Sequence, residues 1–406
     1  MSSVVNNSNA NSALINTINA SESKMNPNVY STKTVYPAAA VVYEKTEKSS
    51  GTIGVGNTIT FDLMKYGIAQ QMLFCWTKLE THGTLAYDFL HVIDRIELLS
   101  SSKVIDTLTN LDLISQFSNL ETSQYNAVEA SGIGARTKDA ASTAELIYCI
   151  PLVFGFFKDI NTNLNLQFNE GMSVRVKFGP HSNLSQDAGT ANPVVQAYLK
   201  MRYKVYNEAD YSEILTQNYN EPELSILTTG FYDENVSVAT LASGVNNNGT
   251  NGTQIELKNT DCVNDFYVCV RQQQAANPDQ VPRAPVPITR VRFTASGQEL
   301  FDLSGEELIH SKLCENGFSV LGNDDNTKNI VKLQMGLWEY SGGGTQSNTL
   351  SLRELNNPII TVYFDVGAPA SGGPVERKYD VSVQEDSVKI CSTVSSSGRV
   401  QVSLTN

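Results

Sequence analysis

Few side chains in this 406-residue sequence stand at spacings that do chemistry. Its four histidines, His82, His91, His181 and His310, include no pair spaced to hold a metal on one helix face. Gly51–Gly56 (GTIGVG) and Gly132–Gly134 have the glycine density of phosphate loops. Neither lies between the strand and helix of a βαβ unit, so both read as turn glycines. Gly322–Asn326 (GNDDN) offers carboxylates to calcium but lacks the alternating ligands and closing Glu of a calcium loop, and reads as a solvated turn. Glu306–Glu307 reads as helix capping before it reads as a catalytic carboxylate pair. Trp76, and Trp338 with Tyr340, have the aromatic surface for a sugar platform, yet sit in strand-like runs where core packing is the commoner use. Cys75, Cys149, Cys262, Cys269, Cys314 and Cys391 show neither zinc nor redox spacing and read as reduced, buried small hydrophobes. No catalytic residue, cofactor-binding residue or metal ligand is expected, and the chain reads as no enzyme.

What these residues are set in is a duplicated run of strands. Ile93–Ile114 (IDRIELLSSSKVIDTLTNLDLI) returns as Ile288–Ile309 (ITRVRFTASGQELFDLSGEELI). Aligned without a gap, Ile93, Arg95, Ser101, Leu108, Leu113 and Ile114 meet identical residues at Ile288, Arg290, Ser296, Leu303, Leu308 and Ile309. In each copy apolar residues alternate with charged ones, the period of a half-buried strand. Ser100–Ser102 and Ala295–Gly297 then supply a tight turn into a short return strand. Thr109 with Asp112, and Ser304 with Glu307, have the hydroxyl-x-x-acid spacing of a capping box, so a short helix is predicted after each hairpin.

A second pair supports the first. Leu164–Phe178 (LNLQFNEGMSVRVKF) matches Leu350–Phe364 (LSLRELNNPIITVYF), each ending in an alternating strand. Further strands are predicted around Ile59–Leu63, Gln196–Tyr206, Val236–Val238, Ile255–Leu257, Phe266–Val270 and Val400–Leu404, and Leu146–Phe157 reads as a strand buried on both faces. Long polar loops at Asn119–Ala144, His181–Asn192 and Gln272–Pro287, and glycine-rich ones at Ser341–Gly344 and Gly367–Gly373, separate them.

Composition bounds the rest. A hydrophobic content of 41% suits a globular fold, no run reaches the ~18 apolar residues that cross a bilayer, and Met1–Asn11 lacks the pattern of a signal peptide. A net charge of −13 argues against a surface built to grip nucleic acid, which needs clustered cations to displace counterions. The expected organisation is a polar N-terminal arm (1–50), a first sandwich (51–206), a linker (207–230) and a second sandwich (231–406). The expected fold class is all-β, with two tandem eight-stranded jelly-roll β-sandwiches and short capping helices.

The two hairpin-to-helix units, together with YCIPLVFGFFKDINTNLNLQFNEGMSVRVKF at Tyr148–Phe178, resemble the double jelly-roll major capsid proteins of tailless icosahedral DNA viruses, the lineage of adenovirus, tectiviruses and the large algal viruses. The resemblance spans about Asn57 to Asn406. It implies a virion structural protein, assembled inside the host cell, that trimerises into pseudo-hexagonal capsomers tiling an icosahedral shell. Implied partners are two further copies, neighbouring capsomers, penton and minor capsid proteins, and an internal membrane or membrane protein met by the arm, with no sequence-specific nucleic acid. The alternative left by the residues is a receptor- or carbohydrate-binding adhesin on two sandwiches.

Overall fold

The structure is a computed structural model, and it describes residues 40–65, 67–79, 93–118, 145–152, 154–155, 164–165, 171–179, 194–206, 223–241, 252–272, 288–304, 307–308, 330–335, 350–364, 377–394 and 399–404. Outside them fall most of the N-terminal arm, all four histidines, Trp338, Tyr340, Gly132–Gly134, Gly322–Asn326, Cys314 and nearly all of the long loops.

Strong β-formers in alternation build the first half: β1 (Ala40–Lys48), β2 (Thr58–Asp62), β3 (Ile68–Leu79), β4 (Ile93–Ser100), β5 (Lys103–Thr109), helix α1 (Asn110–Ser118), β6 (Glu145–Pro151), β7 (Leu164–Asn165), β8 (Met172–Phe178) and β9 (Val194–Tyr206). They form two antiparallel sheets, ordered β1-β9-β3-β6 with β7 beside β3, and β2-β8-β4-β5. Apart from the β4–β5 hairpin and the β6, β7 pair on β3, the chain crosses from one sheet to the other at each step, the winding of a jelly roll.

The second half repeats this order. It comprises β10 (Glu223–Leu241), β11 (Thr253–Glu256), β12 (Cys262–Gln272), β13 (Ile288–Ala295), β14 (Gln298–Ser304), β15 (Ile330–Gln334), β16 (Leu350–Ser351), β17 (Ile359–Phe364), β18 (Arg377–Val394) and β19 (Arg399–Leu404). Its sheets run β10-β18-β12-β15, with β16 on β12 and β19 on β18, and β11-β17-β13-β14. Apart from β19, which has no counterpart, the strands pair as in the first half.

Duplication reaches the irregularities. The β4–β5 ladder slips between Leu98 and Leu99, and the β13–β14 ladder between Phe293 and Thr294, the positions that the ungapped alignment pairs. Both hairpins turn through two residues of positive φ, Ser101 (45°) and Ser102 (74°) in the first and Ser296 (53°) and Gly297 (74°) in the second. That backbone twist matches the right-handed twist of the flanking strands. Each turn is braced from the loop before the matching strand, Ser101 N donating to Gly171 O at 3.2 Å and Ser296 N to Asn356 O at 2.6 Å.

Each half has its own core. In the first, Phe74 meets Phe61 edge-on with ring centroids 6.1 Å apart, and Trp76 stacks on Tyr148 at 4.5 Å. Trp76 is therefore core, not a sugar platform. In the second, Phe266 and Phe293 from facing sheets meet at 5.8 Å.

Three readings of the sequence change. The β1 strand lies inside the stretch read as a polar arm, because its ladder to β9 organises a run, AVVYEKTEK, whose apolar and polar residues do not alternate. The β10 strand begins at Glu223, inside the stretch read as linker, because β18 is long enough to pair with it from there. In Leu146–Phe157 the strand ends at Pro151, and Ile147 is 49% exposed rather than buried on both faces, because it lies on the outer face of its sheet.

Candidate functional site

The first predicted capping box forms in full, and the second forms through its acid. Thr109 N and Oγ1 donate to Asp112 Oδ2 at 2.5 and 2.8 Å, and Asp112 N donates back to Thr109 Oγ1 at 3.3 Å. Ser304 N and Oγ donate to Glu307 Oε2, both at 2.8 Å. Glu307 is thus a capping residue, as its spacing indicated. Gly51 and Gly56, at φ 104° and 71°, are turn glycines.

The first of these helix starts also makes a contact that no local pattern announces. With α1 begun at Thr109, Asn110, Asp112 and Ser115 face the outer side of the β10-β18-β12-β15 sheet in the second half. Gln384 of β18 receives them: Ser115 Oγ donates to its Oε1 at 2.6 Å, and its Nε2 donates to Asp112 Oδ1 and, at 3.0 Å, to Asp233 Oδ1 of β10. Arg271 Nη1 donates to Asn110 Oδ1 at 3.3 Å. Around these polar links Phe231, Tyr267, Cys269 and Ile330 of the second half join the hydrophobic core of the first. Asp112 is 1% exposed and Gln384 fully buried. Burial, and then the charge of Asp233, hold the Asp112 carboxyl well above the usual carboxylate range. A buried carboxyl in that condition is tolerable because the Gln384 amide serves both acids at once.

The corresponding outer face of the first half, on β1-β9-β3-β6, carries Lys200 and Tyr198 of β9, Leu73 and Cys75 of β3, and Ile147 and Cys149 of β6. Here the structure adds what the spacing of the cysteines did not show: Cys75 and Cys149 are direct cross-strand partners, and their Sγ atoms lie 2.8 Å apart. Both are free thiols. The hydrogen bond from Cys75, aided by the Lys200 ammonium against the cost of burial, lowers the Cys149 thiol to about 7. The Cys75 thiol moves the other way, through the same bond and its burial.

Among the described residues no group of three or more His, Cys, Asp or Glu side chains could hold a metal ion, and no helix is long and apolar enough to cross a membrane. Sequence reasoning found Asp112 as a cap but missed Gln384, Asp233, Arg271 and Lys200. Their role depends on which sheets face which helix. A repeat alignment extended to β9 and β18 would have paired Lys200 with Gln384, but those strands share alternation rather than identity.

No family model matches the sequence, and no curated protein matches it. Solved structures do. A chain of the PBCV-1 virus capsid has a TM-score of 0.69 at 12% identity, over 92% of this chain and 99% of that one. The Faustovirus major capsid protein has a TM-score of 0.60 at 10% identity, over 88% of this chain and 91% of its own, and the mavirus major capsid protein one of 0.55 at 13%, over 93% and 94%. With two sandwiches of matching topology joined in tandem, the chain has the double jelly-roll fold seen in these viral major capsid proteins.

Proposed function

We propose that this chain is the structural major capsid protein of a virion, three copies closing into a pseudo-hexagonal capsomer that tiles an icosahedral shell. The observation that carries this reading is the head-to-tail docking of the first half's helix on the second half's sheet. Two similar sandwiches joined this way leave one helix start and one sheet face unused, at opposite ends of the relation. The same step taken again sets the second half's helix start on the first half of another copy. A heterologous contact of this kind either closes a ring or grows a filament, and a ring of six sandwiches from three chains is the closure that the resemblance to double jelly-roll capsid proteins implies. The chain acts by assembly and not by catalysis.

The long loops become towers on the outside of the shell, and the arm faces inward to an internal membrane or membrane protein. Neighbouring capsomers, penton and minor capsid proteins complete the partners. The net charge of −13 keeps free capsomers apart until assembly.

The test is the mass of the purified protein by light scattering, followed by negative-stain images of the same fraction. The expected result is three times 44.4 kDa with pseudo-hexagonal outlines. A monodisperse 44.4 kDa species that stays single at high concentration would overturn the reading.

A further inference from the structure

We propose that Lys200 of one copy binds Glu307 of the next, an ion pair between chains that stands where Gln384 and Asp112 meet within a chain. This rests on the trimer reading above and deepens it by naming the contact that closes the ring.

Sheet register supplies the receiving side. On β9 the cross-strand partners from β3 are Leu73 for Lys200 and Cys75 for Tyr198. On β18 the partners from β12 are Tyr267 for Gln384 and Cys269 for Ser382. The two ladders slip at matching places, between Ala69 and Gln71 and between Val263 and Asp265. On the other side, β1 sets Thr46 opposite Lys200 as β10 sets Asp233 opposite Gln384. Beyond β3, Cys75 faces Cys149 as Cys269 faces Ile330 beyond β12. Lys200 therefore occupies the place of Gln384 in a matching frame.

The capping boxes supply the other side. Glu307 stands to Ser304 as Asp112 stands to Thr109. One carboxylate oxygen of Asp112 caps the helix and the other accepts from Gln384. Glu307 caps with Oε2 alone, which leaves Oε1 in the position of the accepting oxygen. The leucines one residue on are buried alike, Leu113 fully and Leu308 to 3% exposure. Only the docking face differs, since Asp112 and Gln384 are covered while Glu307 and Lys200 are exposed. Within a chain that face is covered by the other half, so the matching face of the second half awaits a second copy.

Charge separates the two contacts and suits each to its task. The chain's internal contact is permanent and dry, and a neutral amide serves it. Its counterpart between chains must form from solvated partners. A cation on the sheet and an anion on the helix steer that encounter, and they disfavour sheet-to-sheet or helix-to-helix pairing of two copies. The bonds that Ser304 donates hold the Glu307 carboxyl below its usual range, so it meets Lys200 ionised. Partly covered Leu73, Tyr198 and Cys149 surround Lys200 and supply surface to bury.

The test is charge reversal and exchange in the full chain, read by light scattering across a dilution series, with circular dichroism to establish that each variant is folded. Lys200→Glu and Glu307→Lys are each expected to raise the concentration at which trimers dissociate by about tenfold or more, and the double exchange to bring it back most of the way. Lys200→Gln, which copies the internal contact, is expected to keep the trimer and flatten its salt dependence; it also serves if a reversed variant fails to fold. Wild-type trimers that neither reversal weakens, or a double variant no better than the singles, would overturn this pairing and leave the trimer reading standing. A monomeric wild type would overturn both.

Discussion

Asp112 and Gln384 lie in different jelly rolls, and the amide of Gln384 donates to Asp112 Oδ1 while Asp112 Oδ2 caps its own helix. One carboxyl thereby starts a helix and ties the two halves together. Removing the amide leaves Asp112 and Ser115 buried without that partner. Gln384→Ala is expected to cost about 2–4 kcal/mol, read as a lower midpoint in urea unfolding. An unchanged midpoint would show that the polar links contribute nothing beyond the apolar contacts around them.

Stability should fall as pH rises. Burial pushes the Glu385 carboxyl up to about 8, with Glu234, Asp261 and Asp233 adding to the effect and Asn259 opposing it. The folded value lies above the ordinary 4.5, so the native state holds a proton that the unfolded chain releases. The contribution is complete below about 4.5 and is lost as pH rises through about 8. Asp112 is shifted the same way and adds to the trend. Glu385→Gln is expected to gain on the order of 1–3 kcal/mol relative to wild type at alkaline pH and little in acid. Thermal melts of both proteins across the range decide it.

In the dissociated chain, where the face around Lys200 is uncovered, Cys149 should be the most readily alkylated of Cys75, Cys149 and Cys269 near neutrality, since its thiol lies at about 7 while burial raises the Cys269 thiol to about 11. Iodoacetamide labelling followed by peptide mass spectrometry is expected to show modification of Cys149 rising through about pH 7. In Cys75→Ala the midpoint moves upward, because the Cys149 thiolate loses the donor that lowers it.

The paired turns allow one half to be repaired from the other. Ser102 holds φ 74° with a side chain, where its counterpart Gly297 holds 74° without one. Ser102→Gly is expected to stabilise by roughly 0.5–1 kcal/mol, through relief of left-handed strain. Gly297→Ala is expected to destabilise by about 1 kcal/mol for backbone reasons alone, since a Cβ there meets nothing within 4 Å. Equal effects of opposite sign in chemical denaturation would support this account, and a destabilising Ser102→Gly would reject it.

Several features were legible in the sequence alone: the alternating strands, the tight turns within Ser100–Ser102 and Ala295–Gly297, the capping spacings at Thr109 and Ser304, and the repetition of these units. Each is set by residues close together in the chain, where propensity and side-chain spacing act directly. Tertiary structure alone decided that β1 is a strand, that Cys75 meets Cys149, and that Asp112 finds Gln384. In these cases the energy comes from a ladder or a docked face whose members are far apart in sequence. A local pattern states which face of an element is apolar or which oxygen is left over. Only the register of the sheets states what that face or oxygen will meet.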